Sequence, residues 1–121
     1  MKLKQIARIL EAEAIGGCEG NTDIKTGCGC DLMSDVLIFA KPGGVLLSGL
    51  TNNQVIYTAS AAGIKAICFV RGKRPFEETV ELANRKKIAL LSTKLPLFEA
   101  CGKLYKKGLP GGSELDAARI K

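Results

Sequence analysis

Histidine and tryptophan are both absent from these 121 residues, and aromatic residues make up only 5% of them. Without histidine the usual general base and the mixed Cys/His zinc sites drop out, so any acid–base chemistry would fall to Asp, Glu, Lys or Cys. With so few aromatics the core must be aliphatic, and the aromatic platforms of RNA-binding modules are missing. No apolar run approaches the length of a membrane span. Lys2, Lys4, Arg8, Glu11 and Glu13 interrupt the N-terminal stretch, which breaks any signal-peptide core. Neither a P-loop nor a GxGxxG fingerprint occurs. The expectation is a cytoplasmic protein without a recognisable catalytic motif.

What remains is an α/β pattern. Apolar residues make up 46% of the chain, enough for one domain of this length to bury a core. Ala66 to Val70 is a continuous apolar run, as in a strand buried on both faces. Arg71-Gly72-Lys73-Arg74 reads as a turn, with Pro75 at the first helical position and Glu77 and Glu78 in the first turn of a helix. Ile88 to Leu91 is the next strand, parallel to the first through a right-handed crossover. Earlier, Leu3, Ile6, Ile9 and Leu10 predict a helix over 3–11, followed by a short strand ending at Gly16-Gly17. Residues 22–30 read as a strand with turns at Gly20 and Gly27. Asp31 or Ser34 would cap a helix through Phe39, which Lys41-Pro42-Gly43-Gly44 stops. Val45 to Leu47 is a strand, and Thr51 or Asn52 caps a helix that Gly63 ends. Residues 95–107 form the last helix, with a breaker and a polar tail beyond it.

The segment VRGKRPFEETVELANRKKIALLSTKLPLFEACGKLY resembles the C-terminal half of a DRTGG domain. In that family a strand ends in Thr-Gly-Gly and continues through a Lys-Pro turn into a Glu-rich helix and a second strand. The preceding DLMSDVLIFAKPGGVLLSGLTNNQVIYTASAAGIKA is similar to the family's first half. The family signature falls on Leu50-Thr51 and on Val70-Arg71-Gly72, of which Gly72 is shared. The resemblance spans residues 1–108, leaving 109–121 as the tail. It implies a single α/β domain with a mostly parallel or mixed sheet flanked by helices, like the N-terminal domain of HPr kinase. The family also supplies accessory modules of phosphotransacetylases and CBS-domain pyrophosphatases. The runs Asp31–Val36 and Phe98–Gly102 resemble small stand-alone members encoded near iron-only hydrogenases.

Ligands of open α/β sheets gather beyond the carboxyl ends of strands. Here those ends are Ser48 to Asn52, Val70 to Arg74 and Ser92 to Lys94, each leading into a helix whose first amides attract anions. The candidate ligand-binding residues are therefore Gly49, Thr51, Asn52, Arg71, Gly72 and Lys73, with Ser92 and Thr93 at the margin. A solvated basic loop is the plainer alternative. Charge is uneven: residues 1–60 carry five Lys/Arg against six Asp/Glu, and residues 61–121 thirteen against six. A basic half suits an anionic ligand or an acidic partner. Nucleic acid is not expected, since neither a helix-turn-helix nor aromatics among the cations accompany the charge.

Five cysteines supply the other chemistry, without a C-x-x-C pair. Cys28 and Cys30 would share one face of an extended segment near Cys18. Three thiols fall short of the usual four of an iron–sulfur cluster, so no cofactor is expected. Asp31 and Asp35, four apart on one helix, would either bind magnesium or balance a helix dipole. The leading expectation is a non-catalytic regulatory module, a homodimer that binds a small anion such as a nucleotide, or a partner protein. The alternative is a redox or metal-linked accessory protein of a hydrogenase system using Cys18, Cys28 and Cys30, with a redox partner.

Overall fold

The apolar runs of the second half become adjacent parallel strands. The structure, a computed structural model, describes residues 1–17 and 19–113. In chain order the elements are α1 (Leu3–Ile9), β1 (Glu13–Gly16), β2 (Gly27–Gly29), α2 (Met33–Phe39) and β3 (Val45–Ser48). They continue with α3 (Asn53–Ala61), β4 (Ala66–Phe69), α4 (Glu77–Arg85), β5 (Ala89–Ser92) and α5 (Leu97–Lys106). One mixed five-stranded sheet runs β1-β5-β4-β3-β2, with β2 through β5 mutually parallel and β1 antiparallel to β5.

The sheet is covered on both sides, which is why its central strands are apolar throughout. Val45, Leu47, Cys68 and Leu91 pack with Leu3 and Ile6 of α1 and Leu104 of α5. Leu46, Ile67, Phe69 and Leu90 face the other way, against Val36 of α2, Ile56 of α3 and Leu82 of α4. Each such side chain withdrawn from water contributes about 1.5–3 kcal/mol before entropy is counted.

Four helices end in one way. Glu11, Gly63, Lys87 and Gly108 each have positive φ one residue past the C-cap. The next amide then bonds back five residues, as Ile64 N to Ala59 O and Ile88 N to Ala83 O, both at 2.9 Å. That is the Schellman geometry, and its customary apolar residue follows: Ile64, Ile88 and Leu109 are all buried. Leu109 is thus part of the packed body. Gly27 N donates to Pro110 O at 3.0 Å and Gly27 pairs with Gly111, so packing continues beyond the expected end at Gly108. Residues 114–121 of the expected tail lie outside the described residues.

Several local expectations shift. The first helix stops at Ile9. Gly27 lies inside a strand, not at a turn: a Cβ there would meet Leu109 Cδ2 at 3.1 Å, and one on Gly29 would collide with Cys101 Sγ. The glycines let α5 and the chain after it close on the sheet. Pro75 precedes the N-cap Phe76, so α4 begins at Glu77. Asp31 is outside α2, whose N-cap is Leu32, and it shares no helical face with Asp35. Its carboxylate has better partners in β3 and the following loop.

The caps give a direct test. Gly63→Ala should cost about 1–2 kcal/mol from the left-handed backbone alone, with its Cβ also 3.0 Å from Pro42 Cβ. Lys87→Gly should gain up to about 1 kcal/mol. Urea midpoints that move together would contradict the shared cap geometry.

Candidate functional site

The carboxyl ends of β3, β4 and β5 sit side by side because the register pairs Ser48 with Phe69 and Phe69 with Ser92. Three loops that are remote in sequence therefore form one rim. At the β3 end, Ser48 is fully buried and its Oγ donates to Asp31 Oδ1 at 2.8 Å. Gly49 N donates to the same oxygen at 2.8 Å, and Leu50 N to Ser48 Oγ at 3.2 Å. The chain's own carboxylate thus occupies the amide that the sequence reading offered to a ligand anion. Asn52 caps α3, its Oδ1 accepting from Val55 N at 3.3 Å. Thr51, half-buried, stands between these two features.

At the β4 end, Val70 to Lys73 closes a tight turn with Lys73 N donating to Val70 O at 3.2 Å. Arg71 and Gly72 both have positive φ, at 59° and 70°, the pattern of a type I′ turn. Arg71 is the unusual occupant, since only glycine takes that conformation freely. The turn is held from the β5 side: Arg71 N donates to Leu95 O at 2.9 Å and Gly72 N to Thr93 O at 2.8 Å. Ser92 Oγ donates to Lys73 O at 2.9 Å, and Thr93 Oγ1 to Leu10 O at 2.7 Å. The Ser92 and Thr93 hydroxyl protons are therefore spent inside the protein, and both residues are buried. Their part is to fix the loop that carries Arg71 and Lys73.

Charge meets above Gly49. A Cβ built there would lie 3.7 Å from Lys73 Nζ, 3.7 Å from Asp31 Oδ2 and 3.8 Å from Asp31 Oδ1. Glycine leaves that volume open beside both an ammonium and a carboxylate. Arg71, Lys73 and Lys94 are exposed along the rim, whereas Arg74 is paired with Glu13 of β1. A recess of about 360 Å³ adjoins them, lined by Gly72, Arg74, Ser92, Thr93, Lys94 and, from the β1 side, Glu11 and Glu13. A larger cavity, about 530 Å³, lies at the opposite ends of β4 and β5, near Lys65, Asn84 and Lys87. It lacks the converging strand ends that favour the rim. Sequence reasoning found the cations but assigned Asp31 to a helix cap. The signal that pointed elsewhere, its pairing with Ser48 and Gly49, spans seventeen and eighteen residues and has no local pattern.

The cysteines divide. Cys68 is buried in β4, and Cys18 lies outside the described residues. Cys28 and Cys30 both pack on the α2 side of the sheet. Cys28 and Cys101 also line an apolar groove of about 310 Å³ between β2 and α5, with Phe98 and Tyr105 at its border. Among the described residues no three Cys, Asp or Glu side chains are grouped to hold a metal. No described helix is long and apolar enough to cross a membrane. Burial pushes the Cys101 thiol above its ordinary range, and burial with the neighbouring Cys30 and Cys101 does the same for Cys28.

No protein-family model matches the chain, and no curated protein sequence does. Among solved structures it is similar to the CBS and DRTGG domains of the regulatory region of Clostridium perfringens pyrophosphatase, complexed with the activator diadenosine tetraphosphate. The TM-score is 0.68 at 19% identity, covering 90% of this chain and 47% of that one. The chain thus spans about half the length of that neighbour, and at this identity the likeness is one of fold. It carries no link to a hydrogenase.

Two outcomes test the assignments. Thr93→Val keeps the shape but strands Leu10 O, and should cost about 1–3 kcal/mol in urea unfolding. A loss under about 0.5 kcal/mol, the level of an ordinary surface substitution, would show the hydroxyl to be idle. For Cys28 and Cys101 a raised folded value means the folded chain holds protons that the unfolded chain releases. Their contribution is full below the ordinary thiol value and is lost as pH rises through the folded one. The urea midpoint should fall in that alkaline window, and less so in a Cys28→Ala, Cys101→Ala double variant.

Proposed function

We propose that this protein is a non-catalytic regulatory module of the DRTGG type that binds a small anionic ligand of the nucleotide class at the β3–β5 rim. The observation that carries the reading is the placement of Lys73 Nζ over the open face of Gly49, beside exposed Arg71, at the carboxyl ends of adjacent parallel strands. Cations there, in a groove edged by protein, attract phosphates more strongly than isolated surface charges do. The fold likeness to a nucleotide-activated regulatory region supports the same direction. A binding module also fits the side chains present: the hydroxyls of Ser48, Ser92 and Thr93 are committed to internal partners and are not poised as nucleophiles. Such a module works as a homodimer or against a partner protein, for which Phe98, 88% exposed, and Tyr105 provide apolar surface.

Calorimetric titration and thermal melting with ATP, ADP, diadenosine tetraphosphate and phosphate test the reading. A ligand at a hundred times its Kd adds about 2.7 kcal/mol of stability, a rise in Tm of roughly 10 °C. Arg71→Ala with Lys73→Ala should weaken that ligand at least tenfold while leaving the unliganded Tm within about 2 °C, as expected of surface changes. An unchanged ligand response in the double variant would remove the rim as the site.

A further inference from the structure

Asp31 is the feature that an anion site by itself does not explain. Its Oδ1 is anchored by the buried Ser48 hydroxyl and by Gly49 N, so the carboxylate cannot swing away without breaking both bonds. Its Oδ2 lies 3.7 Å from the place a Cβ on Gly49 would take, and Lys73 Nζ lies 3.7 Å from the same point. The space over Gly49 therefore presents a hydrogen-bond acceptor and a cation together. A bare polyphosphate would meet the Lys73 ammonium but also a fixed negative charge, and it could not take the Gly49 amide, which Asp31 already holds. A ligand that carries hydroxyl donors beside its anionic group satisfies both.

Resting on the binding role proposed above, we infer that Asp31 is a specificity-determining residue that accepts the ribose hydroxyls of a ribonucleoside 5′-polyphosphate. Lys73 receives the first phosphate. The remaining phosphates run along the rim toward exposed Arg71 and Lys94 at the ends of β4 and β5. The end of β5 lies two strand spacings from that of β3, about 10 Å, the span of a sugar and its linked phosphates. Leu32, 60% exposed beside Asp31, offers an apolar surface to the base. On the far side of the rim the Glu11 carboxylate stands beside the mutually neutralised Arg74–Glu13 pair, so the cations that can receive phosphates are those at the β4 and β5 ends. A carboxylate that selects a ribose hydroxyl beside a phosphate-binding strand end is a known physical solution in α/β sheets. Here it would be reached with a side chain from the loop before α2.

Calorimetric titration of the full chain with ATP, 2′,3′-dideoxy-ATP and tripolyphosphate decides the matter. Wild type should bind ATP at least tenfold more tightly than either competitor. Asp31→Asn keeps an oxygen for Ser48 and Gly49 but can present an amide donor where Oδ2 was. It should bring the three affinities within threefold, by losing ATP and gaining tripolyphosphate. Equal binding of all three by wild type, weakened throughout by Lys73→Ala, would overturn the role of Asp31 and leave the anion site standing. Binding of none of them would overturn both. Should Asp31→Asn fail to fold, the wild-type ratio of ATP to dideoxy-ATP decides alone.

Discussion

Burial of the β3-β4-β5 ladder on both faces is the constraint on which the rest of the molecule depends. Leu46 and Leu47, Ile67 and Cys68, and Leu90 and Leu91 alternate between two helical layers, and all six are buried. A slip of one residue in any of these strands would exchange the two packing surfaces and leave both badly fitted. Register is therefore fixed strongly, and the loops beyond Ser48, Phe69 and Ser92 have no freedom to slide relative to one another. The rim inherits its precision from the core.

On that rigid base the loops are tied to each other by backbone bonds. The turn at Arg71 and Gly72 leans on carbonyls of Thr93 and Leu95, Ser92 holds Lys73 O, and Thr93 reaches Leu10 at the end of α1. Most polar groups at these strand ends thus answer a structural demand. The exceptions are the second oxygen of Asp31 and the cations of Lys73, Arg71 and Lys94. A carboxylate and ammonium pair bordering an open glycine is a different object from a basic patch. It discriminates by the pattern of donors and acceptors in a ligand, whereas a patch discriminates by charge alone.

The other edge of the sheet shows the same economy of side chains. Gly27 and Gly29 remove the Cβ atoms that would hold α5 and Leu109 away, and the close approach leaves a shallow apolar groove along β2. Cys101 lines it while Cys28 packs on the α2 side, and both are half-buried thiols whose surroundings favour the protonated form, which suits packing better than nucleophilic or metal chemistry.

Much of this architecture was legible in the residues. The apolar runs at 45–47, 66–70 and 88–91 are the central strands, because burial on both faces demands apolar residues without alternation. Gly63 marks the end of α3, and Asn52 its start, through local backbone chemistry that a short window contains. The basic turn at 71–74 was visible for the same reason. Gly27 looked like a turn because its reason is Leu109, 82 residues further along the chain. Asp31 looked like a cap because capping is the nearest use for an aspartate before a helix, while its partners Ser48 and Gly49 arrive only when β3 pairs into the sheet. The sequence by itself determined the α/β class, the parallel core strands and the cations of the rim, since these follow from periodicity and local propensity. Only the tertiary structure decided that Asp31 and Lys73 both border the open side of Gly49 and that Ser92 and Thr93 are spent within the fold. Those pairings arise from strand register and chain crossing, which bring together groups that no local pattern relates.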